Sequence, residues 1–105
     1  MTPPVTVTPT TYSVSCLPLD DINASSFTVN VEYRGRGRWG VCRFKRCYDI
    51  NGEWDWESIP SERADEWLAR FRFDLDTALE IARKVAPTLK TNGIDVARAL
   101  EMSHE

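Results

Sequence analysis

Three arginines alternate with glycines over residues 34–38, and Trp39 follows them directly. A guanidinium group binds phosphate or carboxylate through paired hydrogen bonds, glycine lets the backbone approach a ligand closely, and an indole ring stacks on a base. Residues 34–46 carry six basic side chains and no acidic one. The pattern predicts a basic binding loop made of Arg34, Arg36, Arg38, Trp39, Arg43 and Lys45. A solubilising loop with the tryptophan folded back on the sheet has the same composition, so both interpretations stay open.

Carboxylates alternate with two tryptophans further along the chain, at residues 53–57. Alternate positions on one strand face lie about 7 Å apart, which is close enough to attract a divalent cation. A solvated strand face explains the same spacing, and we predict no metal site. More acidic residues follow, and the sequence predicts an acidic patch of Glu53, Asp55, Glu57, Glu62, Asp65 and Glu66. Such a patch would bind a basic partner, while helix capping and solvation are the simpler interpretation.

The cysteines and the single histidine do not form a catalytic pattern. Cys16, Cys42 and Cys47 are odd in number, include no CxxC motif and follow no secretory leader, so we predict reduced thiols in the cytoplasm, with Cys16 and Cys42 in the core. A cysteine or serine nucleophile needs a base, and His104 is next to the last residue. The spacings match no zinc finger. We therefore predict a protein that is not an enzyme and needs no cofactor.

Alternating apolar and polar residues predict antiparallel strands at 12–16, 27–33, 39–48 and 54–56. In the strand at 39–48, Cys42, Phe44 and Tyr48 are expected on the apolar face, and Arg43 and Lys45 on the solvated face.

Residues 49–52, Asp-Ile-Asn-Gly, match a type I turn followed by a glycine bulge. This turn sets Tyr48 opposite Trp54 and Arg46 opposite Trp56. Arg46 is then expected to stack on Trp56, and Lys45 to face Glu57 on the outer surface.

Helices are predicted after the strands. A short one starts from Ser61 as N-cap and carries Trp67. The main helix follows Asp74 or Asp76 as N-cap and ends near Ala86, before Pro87. Its apolar stripe consists of Leu75, Leu79, Ala82, Ala86 and Leu89, widened by Ile81 and Val85. Asn92-Gly93 is a turn, and Asp95 caps a last helix, Val96–Met102.

These elements predict an α+β fold: a small antiparallel β-sheet of three to four strands packed by one main C-terminal helix plus short helices. Leu79 and Phe44 are expected to share one core. The predicted organisation is an extended arm at 1–11, a single domain at 12–102 and a tail at 103–105. Four tryptophans exceed what so small a core usually hides, and at least one, foremost Trp39, is expected to be partly exposed.

Four runs of the sequence, 31–39, 52–63, 65–69 and 72–79, resemble small hypothetical proteins of actinobacteria and their phages. The resemblance covers residues 12–102 and implies that origin and a single-domain size, but no activity. A weaker, topological similarity is to three-stranded DNA-binding domains of the AP2 and integrase-arm kind, and the acidic third strand departs from that pattern.

The net charge and the lengths of the apolar runs limit the classes of partner that the chain is expected to bind. The net charge is −3, so the chain lacks the overall basic charge of many nucleic-acid-binding proteins. No apolar run approaches the roughly 20 residues of a membrane helix. The sequence predicts a non-enzymatic protein-binding module that uses the basic loop and the acidic patch, with nucleic acid as the alternative partner. A second copy of the chain is also a candidate partner.

Overall fold

The computed structural model describes residues 2–57, 59 and 64–103. Within these ranges the strands are β1 Thr11–Ser15, β2 Thr28–Tyr33, β3 Trp39–Arg43, β4 Arg46–Tyr48, β5 Trp54–Trp56, β6 Lys90–Thr91 and β7 Ile94–Asp95. The helices are α1 Asp65–Phe71, α2 Leu75–Val85 and α3 Val96–Met102, with 3-10 turns at Ala24–Phe27 and Ala86–Thr88. The predicted α+β class is confirmed.

The main sheet has five antiparallel strands in the order β1-β2-β3-β4-β5, rather than the three to four expected. The extra strand arises because residues 39–48 form a hairpin and not a single strand. Phe44 and Lys45 make its turn, and Phe44 takes a left-handed backbone conformation, φ 58°. No glycine or asparagine marks this turn, so the sequence pattern runs through it unbroken.

The hairpin reverses the faces that were predicted for these residues. Cys42 pairs with Cys47 and Arg43 with Arg46, so Cys42 and Tyr48 point to opposite faces of the sheet. Phe44 is 72% exposed, whereas Leu79 is partly buried against the core. The expectation that Phe44 and Leu79 share one core is therefore wrong.

One face of the sheet, the α2 face, carries the main core. Val29, Val31 and Val41 are fully buried there, and the buried side of α2, which includes Ile81 and Val85, packs with them in one cluster. The helix starts where Asp74 accepts a hydrogen bond from the Thr77 backbone N–H, 2.8 Å, and it ends ahead of Pro87. The predicted helix, its cap and its apolar side are confirmed.

The turn between β4 and β5 has the predicted form. The Gly52 N–H donates to the Asp49 carbonyl at 2.9 Å, and Gly52 has φ 79°. Tyr48 lies opposite Trp54 and Arg46 opposite Trp56. The register deduced from the turn residues is confirmed.

The C-terminal segment also follows the prediction. Asn92 and Gly93 join β6 to β7 with positive φ values, and Asp95 caps α3 by accepting from the Arg98 N–H, 2.8 Å. The predicted N-cap Ser61 lies outside the described residues. Helix α1, which carries Trp67, starts at Asp65 with Ala64 as its N-cap, so the prediction that Ser61 caps this helix is wrong. Among the residues that the structure describes, no helix has the length and apolarity of a membrane span.

Candidate functional site

The second face of the sheet, the α1 face, carries a small packed cluster that the sequence did not suggest. Cys42 and Cys47 project from β3 and β4 on this face, and both are buried. Phe71, at the end of α1, is completely buried against them, and Trp67 packs alongside. The ring centroids of Trp67 and Phe71 are 4.7 Å apart. Helix α1 therefore covers part of the face opposite to α2.

Glu57 lies at the centre of this face, directly after β5, and its side chain is only 12% exposed. The Arg34 Nε donates to Glu57 Oε1 at 3.1 Å, and the Arg72 guanidinium donates to the same oxygen at 3.1 Å. The Cys47 thiol donates to Oε2 at 3.0 Å, and Cys42 Sγ lies 3.5 Å from that oxygen. We call these five residues the glutamate cluster.

Arg72 reaches Glu57 because Gly40 leaves room for it. A Cβ on Gly40 would lie 3.1 Å from the Arg72 guanidinium, which is closer than most real contacts. The guanidinium also donates to the Phe71 carbonyl at 3.0 Å and lies over the Trp67 ring at 5.0 Å. Its side chain is 6% exposed. Burial of an arginine is tolerated only with such pairing, so Arg72 and Glu57 depend on each other.

The surroundings of Glu57 change its acidity. Burial alone raises the pKa of this carboxyl, but hydrogen bonds from Arg34 and Cys47, together with the charges of Arg34 and Arg72, outweigh it and lower the pKa to about 2. The hydrogen bond with Cys47, followed by burial, raises the pKa of the Cys42 thiol well above its ordinary range. The cluster therefore contains an ionised carboxylate and a protonated Cys42 thiol at neutral pH.

Acid is expected to weaken the fold through Glu57. A carboxyl whose pKa is depressed by folding stabilises the fold above its unfolded pKa, near 4.5, and loses that contribution as the pH falls through its folded pKa of about 2. The contribution at neutral pH is about 3 kcal/mol. Urea unfolding of the wild type and of Glu57→Gln should give a difference that shrinks from pH 5 to pH 2. A difference that stays constant over this range would contradict the assignment.

The comparison with Glu57→Gln is needed because a second carboxyl titrates in the same direction. Burial raises the pKa of Asp49, but the hydrogen bond from Arg70 and those from the Asn51 and Glu53 N–H groups lower it overall. The wild type and Glu57→Gln both retain Asp49, so the contribution of Asp49 to the free energy of unfolding cancels when the two proteins are compared.

Cys42, Cys47 and Glu57 form the one group of metal-type ligand atoms among the described residues, with all three atoms within 4.8 Å of one another. Arg34 and Arg72 already compensate the charge of Glu57. A cation at this position would face two guanidinium groups, and it would need both thiols to ionise. The strand carboxylates that were considered as a metal site do not converge, because Glu53 is exposed and Glu57 is buried.

The loop between β2 and β3 presents three of the six residues predicted for the basic binding loop. Gly35, Arg36 and Gly37 all have positive φ, and the Arg34 N–H donates to the Arg38 carbonyl at 2.8 Å. An open cleft of about 610 Å³ lies between this loop and α1. We call it the basic cleft, and its lining is Arg34, Gly35, Arg36, Arg38, Leu68, Ala69 and Arg72.

The other three residues predicted for the basic loop lie elsewhere. Trp39 is only 9% exposed and packs edge-on against Tyr33 at 5.2 Å, so the expectation that it is exposed is wrong. Arg43 is 6% exposed and donates to the Ser26 carbonyl at 2.9 Å and to Thr91 Oγ1 at 2.8 Å. Arg43 thus fastens β3 to the segment before β2 and to β6, and the prediction that it is solvated is wrong. Lys45 is exposed in the β3–β4 turn, at the far end of β3 from the cleft.

The residues predicted for the acidic patch have different surroundings in the structure. Glu57 belongs to the glutamate cluster, so its side chain does not pair with Lys45, although its N–H donates to the Lys45 carbonyl at 2.8 Å. Glu53 lies near Arg70, 3.7 Å, and Asp55 accepts from the Trp56 N–H, 2.8 Å. Asp65 and Glu66 are exposed in the first turn of α1. Glu62 lies outside the described residues.

The exposed tryptophans are Trp54 and Trp56 rather than Trp39, and they form an aromatic surface. Trp54 and Trp56 are 44% and 56% exposed, and their rings meet edge-on at 5.1 Å. The Arg46 guanidinium lies over both, 4.4 Å from the Trp54 centroid and 5.4 Å from that of Trp56. The predicted contact of Arg46 with Trp56 is confirmed. We call these three residues the tryptophan surface; it lies on the α2 face, beyond the area that α2 covers.

The sequence contains a signal for the faces of the two indoles and Glu57, but none for the burial of Arg72. Alternation of tryptophan and acid over residues 54–57 does place the indoles and Glu57 on opposite faces, but the assumption that the aromatic face was the buried one concealed the buried carboxylate. Arg72 lies between two buried phenylalanines, but this position alone does not predict from the sequence that the arginine is buried.

The chain matches no protein-family model, and no curated protein or solved structure was found to be similar to it. The resemblance to small actinobacterial and phage proteins stays a prediction, and function has to be argued from the geometry of the described residues.

Proposed function

We propose that the chain is a small, non-enzymatic protein-binding module that contacts its partner through the tryptophan surface. The observation that carries this proposal is the pair of exposed indoles, Trp54 and Trp56, with Arg46 stacked on them. Tryptophan and arginine are the residue types that most often dominate binding energy in protein interfaces. Indoles exposed to this degree on a small domain are typical of a contact surface.

The edge of the sheet supports the same proposal. Backbone hydrogen bonds from Asp49 to Glu53 and from Glu57 to Lys45 run between β4 and β5, so by alternation the backbone groups of Trp54 and Trp56 point outward. Of these groups, the Trp56 N–H already donates to the Asp55 carboxylate at 2.8 Å. Among the described residues no strand pairs with this edge. An extended partner segment can add to such an edge through its backbone while the indoles contact its side chains.

The chemistry of the cysteines favours binding over catalysis. A thiol nucleophile needs a neighbouring base, and the carboxylate beside Cys42 and Cys47 is a weak one, with a pKa of about 2. The one histidine of the sequence, His104, lies outside the described residues. We therefore propose no catalytic role for Cys42, Cys47 or Glu57.

Replacing both exposed tryptophans, Trp54→Ala together with Trp56→Ala, is expected to reduce partner capture at least about 10-fold, because interface tryptophans of this kind contribute about 2 kcal/mol or more each. The measurement is quantitative mass spectrometry of proteins captured from a lysate of the native host.

The matched control is Leu19→Ala with Ile22→Ala, which removes two apolar side chains that are each 92% exposed in the loop after β1. A specific partner should be retained by the wild type and by this control, and lost by the double tryptophan variant. Equal capture by all three proteins would refute the proposal.

Nucleic acid is the second candidate partner, and the basic cleft is the observation that favours it. Arg36 and Arg38 are exposed, and neither forms an ion pair with another described residue. Two exposed guanidinium groups beside an open cleft suit a phosphate backbone.

If nucleic acid binds in the cleft, gel-shift affinity should fall steeply as salt rises, and Arg36→Glu with Arg38→Glu should remove the shift. Arg83→Glu with Arg98→Glu makes the same change in net charge on two exposed helical positions and should weaken binding far less. Absence of a shift at low salt would exclude this candidate.

The proposal also includes the cellular compartment and the origin of the protein. The odd number of cysteines favours a reducing compartment, and we propose the cytoplasm. The resemblance over residues 12–102 supports an actinobacterial or phage origin. A second copy of the chain is a candidate occupant of the open β5 edge, and sedimentation of the purified protein distinguishes that case from a different partner.

A further inference from the structure

Cys42 and Cys47 face each other across the β3–β4 hairpin, with their sulfur atoms 3.3 Å apart. Neither thiol has a role in the proposed binding surface. We propose that this pair is a reversible dithiol–disulfide site, which a small hydroperoxide oxidises to an intramolecular disulfide. The inference is independent of the proposed protein-binding function.

The backbone geometry suits a disulfide. The two-residue turn at Phe44 and Lys45 makes Arg43 and Arg46 the hydrogen-bonded pair next to the turn, so Cys42 and Cys47 form the non-hydrogen-bonded pair that follows. Cα atoms in such a pair lie about 4.5 Å apart, within the range of about 4.4–6.8 Å that disulfides span. The bond therefore requires little movement of β3 or β4.

The reaction balances with one molecule of hydrogen peroxide. The sulfur of one thiol attacks a peroxide oxygen, the O–O bond breaks, and the thiol proton passes to the leaving hydroxide, so that a sulfenic acid and water form. The sulfur of the second thiol then attacks the sulfenic sulfur, the S–S bond forms, and hydroxide leaves as water with the proton of that thiol. Two thiols lose two protons and two electrons, and the peroxide is reduced to two waters. An external dithiol reverses the step by thiol–disulfide exchange.

The charges around the pair favour a disulfide over a metal ion. Neutral thiols become a neutral disulfide, so the ion pairs of Glu57 with Arg34 and Arg72, each at 3.1 Å, are kept unchanged. A metal ion would enter beside those two guanidinium groups, one of which lies 3.6 Å from Cys42 Sγ. Glu57 loses its thiol hydrogen bonds on oxidation but keeps both arginines.

The basic cleft provides the route to the thiols. Arg34 and Arg72 line the cleft, and within the glutamate cluster they contact Cys42 and Glu57 respectively, so the sulfurs lie beneath these two side chains. Both cysteines are buried, which admits a molecule as small as hydrogen peroxide more readily than a bulky disulfide. Cys16 is exposed, so the expectation that it lies in the core is wrong. It has no cysteine partner in the described structure and serves as the contrasting thiol.

The experiment uses the full chain with Cys16→Ser, which leaves only the proposed pair. After treatment with hydrogen peroxide, we expect a mass loss of two hydrogens, no thiol that N-ethylmaleimide labels in denaturant, and a peptide that contains the 42–47 crosslink. Dithiothreitol should restore both thiols. The oxidised protein should melt several degrees higher than the reduced one, because the bond constrains the unfolded chain.

Cys47→Ser in the same background should show no two-hydrogen loss, and peptide mapping of the parent protein decides the result even if this variant fails to fold. The proposal is overturned if both thiols stay reactive after oxidation, if they convert to sulfinic acids, or if the crosslink forms only in denaturant. It is also overturned if native mass spectrometry finds a metal ion that Cys47→Ser releases.

Discussion

Glu57→Gln is expected to lower the free energy of unfolding by about 3–5 kcal/mol, because it removes the charge that two arginines need. The Arg72 side chain is 6% exposed and has Glu57 as its carboxylate partner at 3.1 Å. Glutamine has the same shape and can accept a hydrogen bond, so the loss comes from leaving a buried positive charge uncompensated. The thermal midpoint should fall by roughly 10–20 °C.

Glu53→Gln is the matched control for this variant. Glu53 precedes β5 as Glu57 follows it, but its side chain is 74% exposed and lies 3.7 Å from Arg70. An exposed ion pair of this kind contributes at most about 1 kcal/mol. Equal effects of the two substitutions would show that Glu57 is not buried among the arginines.

Phe71→Ala is expected to cost about 3–5 kcal/mol, the usual range for removal of a fully buried aromatic side chain. Phe71 has no solvent exposure, and it packs on Cys42, Cys47 and Trp67. Its loss opens a cavity between α1 and the sheet, and chemical denaturation measures the change.

Phe44→Ala provides the comparison, since it removes the same atoms from a side chain that is 72% exposed. We expect a cost below about 1 kcal/mol. A larger loss of unfolding free energy for Phe44→Ala than for Phe71→Ala would contradict the hairpin. It would instead support the buried position of Phe44 that the alternating pattern of residues 39–48 suggested.

The elements with strong local chemistry could be predicted from the sequence. Asp49 and Gly52 define their turn through a side-chain acceptor and a left-handed glycine, and the strand register follows from that turn. Asp74 and Asp95 cap their helices as expected. In each case the residue type and the backbone requirement coincide.

The β3–β4 turn could not be predicted, because Phe44 adopts φ 58° without a residue that favours it. Tertiary packing overrides the local preference there. Missing this turn placed Cys42 on the same face as Tyr48, whereas the hairpin places Cys42 beside Cys47 on the opposite face. The expectation of a core formed by Phe44 follows from that error.

The candidate sites could be predicted only where their residues are neighbours in the sequence. Arg34, Arg36 and Arg38 were predicted as basic residues of one loop, and the cleft brings them together. Arg72 joins that cleft from a segment distant in sequence, and only the packing of α1 reveals it. The tryptophan surface was obscured because indoles on an alternating strand were assigned to the core, whereas α2 does not extend over β5.

The central claim is that Trp54 and Trp56 form the contact surface while Trp39 is part of the core. Fluorine NMR of the protein labelled with 5-fluorotryptophan tests it directly, with each resonance assigned by a single Trp→Phe replacement. A soluble paramagnetic gadolinium chelate should broaden the resonances of Trp54 and Trp56 strongly and that of Trp39 little, and addition of the captured partner should protect the first two. Broadening of Trp39 equal to that of Trp54 and Trp56, or a partner that leaves these two resonances unprotected, would contradict the account.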